Sequence, residues 1–158
     1  MTWIVNTSVL SNFALVQRPD LLSIPGPEGL ITVAQGMEEI QQGVQRGVLP
    51  PCDWQRLQVC TLDTPEEVRL FDQIHRRLRI GEAACLALAV HRGLKFLTDD
   101  TDARRWAQRA GIPVSGTIGI LVALVRSGTL TLDEGNSMLR EMIAKAYYSP
   151  VERLEGLL

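Results

Sequence analysis

The residues of this chain best suited to chemistry are acids that stand where apolar runs end. In FLTDDTDARRWA, Phe96 to Ala107, three acids (Asp99, Asp100 and Asp102) fill four positions directly after an apolar run. Helix capping accounts for one or two of them, because an N-cap side chain and first-turn acids both favour a helix start. It does not account for a strand that delivers Asp99 and Asp100 together at its exit. Arg104 lies one helical turn further on, within reach of the acids or of a phosphate, whereas Arg105 reads as solvated. In RIGEAACLALAV, Arg79 to Val90, Glu82 is the one charge inside an apolar helix. Taken alone it is a first-turn acid worth about 0.3–1 kcal/mol to the helix; a second acidic strand end nearby strengthens a functional role. In ITVAQGMEEIQQG, Ile31 to Gly43, Glu38 and Glu39 flank an apolar stripe on opposite sides, and periodicity does not choose between them. A fourth place is WIVNTSVLSNF, Trp3 to Phe13, where Asn6, Thr7 and Ser8 follow an apolar run and precede a helical segment. Metal chemistry there would call for a carboxylate, and the chain carries an amide.

Short apolar segments position these groups. Trp3–Val5, Leu30–Val33, Val59–Leu62, Lys95–Thr98 and Ile112–Val114 read as strands, each too short for a helix and bounded by polar, Gly or Pro residues. Between them, Val33, Met37, Ile40 and Val44 recur as one helical stripe. Ala83 to Val90 reads as a buried helix, and Thr101–Ala110, Thr117–Ser127 and Leu132–Ala144 as further helices. Gly43, Gly111 and Gly128 stand at expected helix ends. IPGPEG (Ile24–Gly29) and LPPCDW (Leu49–Trp54) read as turns rather than linkers. Alternating strands and helices imply a three-layer α/β/α sandwich around a parallel sheet of about five strands, in one domain over residues 1–158. In such sheets ligands bind beyond the carboxyl ends of the strands, where strand order reverses. The ends at Asn6-Thr7-Ser8 and at Asp99-Asp100 are therefore the places for a site.

Composition narrows the function classes. The chain has 158 residues, 46% of them hydrophobic, which suits a folded domain with a core. With 16 basic against 18 acidic residues the formal charge is −2, so broad electrostatic attraction to duplex nucleic acid is not expected. Cys52, Cys60 and Cys85 form no CxxC pair and suit free thiols in a reducing cytoplasm. No leader pattern and no apolar run of about 20 residues is present, so the expected setting is cytoplasmic, without a membrane. His75 and His91 lack metal-ligand spacing. There is no G-x-S-x-G elbow and no P-loop, and a Rossmann-like nucleotide site lacks its glycine fingerprint after the first strand. Trp3, Trp54 and Trp106 read as core or interface residues. Tyr147 and Tyr148 could stack on a base, but read first as packing the C-terminal helix against the body or a second subunit.

Taken together, VNTSVLSN, MEEI, GEAACLALA, LTDDTDARRWA, GIPVSGTIGILVALVRSGTL and AYYSPVERLEGLL resemble, in order and over nearly the whole chain, the PIN-domain ribonucleases, especially the VapC-like toxins of toxin–antitoxin systems. The resemblance implies an acidic quartet at the carboxyl edge of the sheet, at positions Asn6, Glu39, Glu82 and Asp99, with Asp100 a close alternative to Asp99. It favours Glu39 over Glu38 through the Glu-Ile pair, and it places Thr7, Ser8, Arg104 and Thr117 on the cleft rim as substrate-binding positions. Asn6, Glu82 and Asp99 would be the metal ligands. Crowded carboxylates call for a cation, and the implied ion is Mg²⁺ or Mn²⁺, a hard ion that takes oxygen ligands and activates water against a phosphodiester. The implied partners are an RNA substrate, a small antitoxin protein and a second copy in a homodimer. Position 6 departs from the family pattern, which has Asp there. The amide removes one charge from the quartet, so weaker metal binding and lower or absent nuclease activity are expected. A PIN module that binds RNA or protein without cutting is the alternative.

Overall fold

The computed structural model describes residues 1–24, 26–54 and 56–158. Five parallel strands form the sheet in the order β3-β2-β1-β4-β5: β1 Thr2–Val5, β2 Gly29–Val33, β3 Leu57–Cys60, β4 Lys95–Leu97 and β5 Val114–Ser115. Seven α-helices accompany them among the described residues: α1 Thr7–Leu15, α2 Ala34–Gln45, α3 Pro65–Ile74, α4 Ile80–Arg92, α5 Thr101–Arg109, α6 Thr117–Arg126 and α7 Leu132–Lys145. This is the expected three-layer sandwich.

The central strands are apolar on both faces because both faces are covered. Trp3, Val5 and Leu97 turn into a core shared with Leu10 and Phe13 of α1, Leu121 and Leu124 of α6, and Leu139 and Met142 of α7. Ile4, Val33 and Phe96 turn the other way, onto the alanine-rich face of α4 and onto Ala103 and Ala107 of α5. Small residues let α4 lie close to the sheet, and Ala83 through Leu88 are fully buried. The chain builds outward from β1 through β2 to β3, then returns to the other side of β1 with β4 and β5. Strand order thus reverses between β1 and β4, whose register pairs Ile4 with Phe96 and Val5 with Leu97. Asn6 and Asp99 leave the sheet beside each other there.

Several local readings need correction. α3 was not among the expected helices, although its start is written plainly in the sequence. Thr64 and Glu67 form a capping box with Pro65 in the first turn. The edge strands are displaced by two residues from their expected positions, since β3 pairs Leu30 with Leu57 and Val33 with Cys60. β3 is exposed in its middle (Val59 is 47% exposed), so burial does not dictate its register as it does for β1. Ile112 is buried in the turn before β5 rather than in the strand. Gly43 is no helix end. It lies inside α2 where Leu49 packs so closely that a Cβ would sit 2.9 Å from its Cδ1. The left-handed residue after α2 is Gly47, and α4 closes on Gly93. The turn expected at Ile24–Gly29 includes Pro25, which lies outside the described residues. No helix of the described residues is long and apolar enough to cross a membrane.

Candidate active site

Asn6 ends β1 and caps α1. Its Oδ1 accepts from the Thr7 amide at 2.9 Å, and its Nδ2 donates to Thr98 Oγ1 at 3.0 Å. The Thr7 N–H fixes which end of the amide is oxygen. Asn6 is buried at 4% exposure and forms one wall of a polar cavity of about 200 Å³, lined also by Thr7, Ser8, Ser11, Glu39, Arg79 and Glu82. Glu39 reaches this cavity from α2, its Oε1 lying so close to α4 that a Cβ on Gly81 would be 3.0 Å away. Of the two neighbouring acids, Glu39 is the one that lines this cavity. Glu82 enters from the first turn of α4. Burial pushes its carboxyl above the usual range, and the negative charges of Asp100 and Glu39 add to the effect, while Arg79 opposes it. Glu39 is displaced upward for the same first reason, partial desolvation of a residue otherwise open to solvent, again with Arg79 opposing. Two carboxyls facing one small cavity with raised pKa values are groups that a cation would stabilise.

Asp99 does different work. Its Oδ1 accepts from the Thr117 amide at 2.8 Å, and its Oδ2 accepts from Thr117 Oγ1 at 2.5 Å and from Asn12 Nδ2 at 3.1 Å. The N-cap position of α6 is Gly116, which has no side chain, so Asp99 supplies the anion at that helix start from across the sheet edge. Gly116 is required there, because a Cβ would collide with Asp99 Oδ1 and lie 2.8 Å from the Thr98 carbonyl oxygen. Burial raises the Asp99 pKa, against the hydrogen bonds from Thr117 and the charge of Arg104. Ser8 Oγ accepts from the Asp99 amide at 3.0 Å. Asp100, its neighbour, turns away and caps α5 through Ala103 N at 2.8 Å. The helix-cap reading thus holds for Asp100, while its charge still reaches Glu82.

The expected residues are therefore divided. Asn6, Thr7, Ser8, Glu39 and Glu82 share the small cavity. Asp99 and Thr117 form a second network beside it, and Asp99 joins Thr7, Ser8 and Glu39 along an adjoining groove of about 410 Å³. Asp99, Asp100 and Arg104 line a further groove of about 830 Å³. Among the described residues, no three His, Cys, Asp or Glu side chains converge closely enough to hold a metal ion. The donor set nonetheless fits a hard divalent ion. Mg²⁺ keeps several waters and needs only one or two carboxylates, and Glu39 and Glu82 beside the Asn6 carbonyl offer oxygen donors alone. Three residues were missed from sequence. Asn12, 5% exposed, links Asp99 to Thr117; Thr98 holds Asn6; and Arg79 supplies the cavity's cation. A lone amide in the apolar run of α1 was the available signal for Asn12.

Comparison with known proteins gives the family and the fold. The profile of the PIN-domain family DUF3368 matches residues 2–158. Among solved structures, the fold is similar to that of a PilT N-terminus domain protein from the hyperthermophilic archaeon Sulfolobus solfataricus, with a TM-score of 0.56, 13% identity, and coverage of 78% of this chain and 92% of that one. No curated protein matches. The chain belongs to the PIN-domain family, whose members are generally nucleases that use a divalent metal ion.

Proposed function

We propose that this chain is a metal-dependent endoribonuclease that hydrolyses RNA phosphodiester bonds, built as the toxin of a toxin–antitoxin pair and attenuated by Asn6. The observation that carries the reading is the pair Glu39 and Glu82, held by two different helices against one polar cavity with Asn6 at its wall and both carboxyls raised. Glu39, Glu82 and the Asn6 carbonyl would hold Mg²⁺ or Mn²⁺, with Asp99 the further acid of the set. The ion, when bound, supplies an activated water and charge stabilisation at the phosphate. The chain's own groups orient the rest. Glu82 and Glu39 can hold a proton at higher pH than ordinary carboxyls, Thr7 and Ser11 offer hydroxyls to a phosphate oxygen, and Arg104, anchored on the Thr98 carbonyl at 3.2 Å, presents its remaining N–H groups to the groove. An antitoxin would neutralise the cleft with an Arg or lay a helix in an apolar groove. A homodimer in the cytoplasm completes the reading.

Asn6 also favours a second reading, a PIN module that binds RNA or protein without cutting, because its Oδ1 is engaged by the Thr7 amide and its Nδ2 by Thr98 Oγ1. One experiment separates the two. The Asn6→Asp variant keeps the shape, and the Thr98 hydroxyl can rotate to donate to the new carboxylate. Mn²⁺ binding by calorimetry is expected to tighten about tenfold or more in the variant, with Mn²⁺-dependent RNA cleavage rising alongside. If neither protein binds Mn²⁺ or cuts any RNA, the nuclease proposal is wrong.

A further inference from the structure

α7 ends at Ala146 with φ of +146°, a conformation that L-residues seldom adopt. The turn sends two consecutive tyrosines in different directions. Tyr147 packs against the core beneath α1 and α6, whereas Tyr148 is 97% exposed. Of the two tyrosines expected to pack the helix against the body or a second subunit, Tyr147 packs against the body and Tyr148 does not. A ring this exposed leaves both of its faces open to a ligand.

The ring stands where two grooves meet. The larger, of about 830 Å³, runs along α5 past Arg104 and Arg105. The other, of about 410 Å³, runs past Lys145, Ser11 and Thr7. Tyr148 and Asp99 line both. Lys145 is pinned at the rim by its bond to the Leu15 carbonyl oxygen at 3.0 Å, with Glu141 3.5 Å away, and Arg105 makes an exposed contact of 3.9 Å with Asp102. Cations spaced along a groove with an aromatic face between them are the pattern of single-strand recognition, in which the backbone follows the charges and a base stacks on the ring. With a formal charge of −2 the chain has no general attraction for polyanions, so affinity must come from local contacts such as these.

We propose that Tyr148 is a base-stacking platform on a single-stranded RNA track that runs from Lys145 over Tyr148 to Arg104 and Arg105 and passes Asp99. The proposal rests on the nuclease reading above and adds to it the side chain that grips an unpaired base, since a paired base has no free face to offer the ring.

The test is binding without turnover. Affinity of the chain, in chelator, for a fluorescent single-stranded RNA of about ten nucleotides is compared with that of Tyr148→Ala, Tyr148→Phe and Arg105→Ala. Tyr148→Ala is expected to bind about 5- to 100-fold more weakly, the loss of one stacked base. Tyr148→Phe keeps the ring and should bind within about twofold of the parent, and Arg105→Ala should flatten the salt dependence. Duplex RNA of the same sequence should compete poorly. Equal affinities for all four proteins, equal competition by duplex, or a change of oligomeric state in Tyr148→Ala without a change in affinity would overturn the track. Cleavage by Asn6→Asp reports separately on the nuclease reading, so a cutting enzyme with unaltered binding in Tyr148→Ala rejects the track alone.

Discussion

Thr117→Val probes the network that fixes Asp99. Thr117 is fully buried, and valine fills nearly the same space, so the change removes the hydroxyl and leaves no cavity. Lost are the 2.5 Å bond to Asp99 Oδ2 and the 3.0 Å bond from Asn12. The backbone bond from Thr117 N to Oδ1 survives, and Asn12 and Asp99 keep each other. No group is left wholly unpaired, so the cost is that of one charge-assisted bond, about 1.5–3 kcal/mol. For a chain of this length that corresponds to a Tm lower by roughly 3–12 °C. The pH dependence has a definite sign. The Asp99 carboxyl already titrates above its ordinary value of 3.8 because it is buried, and the Thr117 bonds hold it down. Removing the hydroxyl raises it further. The added destabilisation is therefore absent below the unfolded value and grows as pH rises through the folded one. Urea unfolding in chelator at pH about 3 and about 7 should show a loss at the higher pH at least twice that at the lower. Equal losses at both would mean that packing rather than the ionised carboxylate is at stake. So would a double-mutant cycle with Asp99→Asn that is additive within about 0.5 kcal/mol.

Two further substitutions test other parts of the framework. Glu67 is buried and accepts from Asp63 N, Thr64 N and the Arg92 guanidinium, the last at 2.8 Å, which with the two amides holds its pKa at about 2. Glu67→Gln should cost about 1–2 kcal/mol at neutral pH, the lower part of the range for a charged bond because Arg92 is partly solvated. A lowered carboxyl stabilises above its unfolded value and loses that contribution as pH falls from 4.5 towards 2, so the gap between parent and variant in urea melts should close over that interval. Gly116→Ala places a methyl against the Thr98 carbonyl, which is backbone and does not yield, and 3.1 Å from Arg104 Nη1. A loss of about 1–3 kcal/mol is expected, and introduced into Asn6→Asp the change should abolish the recovered cleavage; wild-type melting behaviour would show that the close approach is not needed.

The order of elements, the two-faced burial of the central strands and the acidic strand ends are legible in the residues themselves, because each depends on local periodicity and turn chemistry. The capping box that starts α3 was equally local and could have been read from Thr64, Pro65 and Glu67. What local pattern cannot carry is convergence. Asp99 and Asp100 are adjacent in the chain, yet one anchors α6 and the other caps α5, and only the packing of two different helices against β4 assigns those duties. Glu38 and Glu39 are equivalent by periodicity until α4 is laid beside α2 and Gly81 admits one carboxylate. Asn12 meets Thr117 across 105 positions of sequence. Tyr147 and Tyr148 part at the turn of positive φ on Ala146, one against the core and the other in solvent. Local pattern is enough to set acids and an amide at the carboxyl edge of a parallel sheet. Strand order, reversing between β1 and β4, decided which of them share a cavity, because side chains on separate helices meet only where long-range packing brings those helices together.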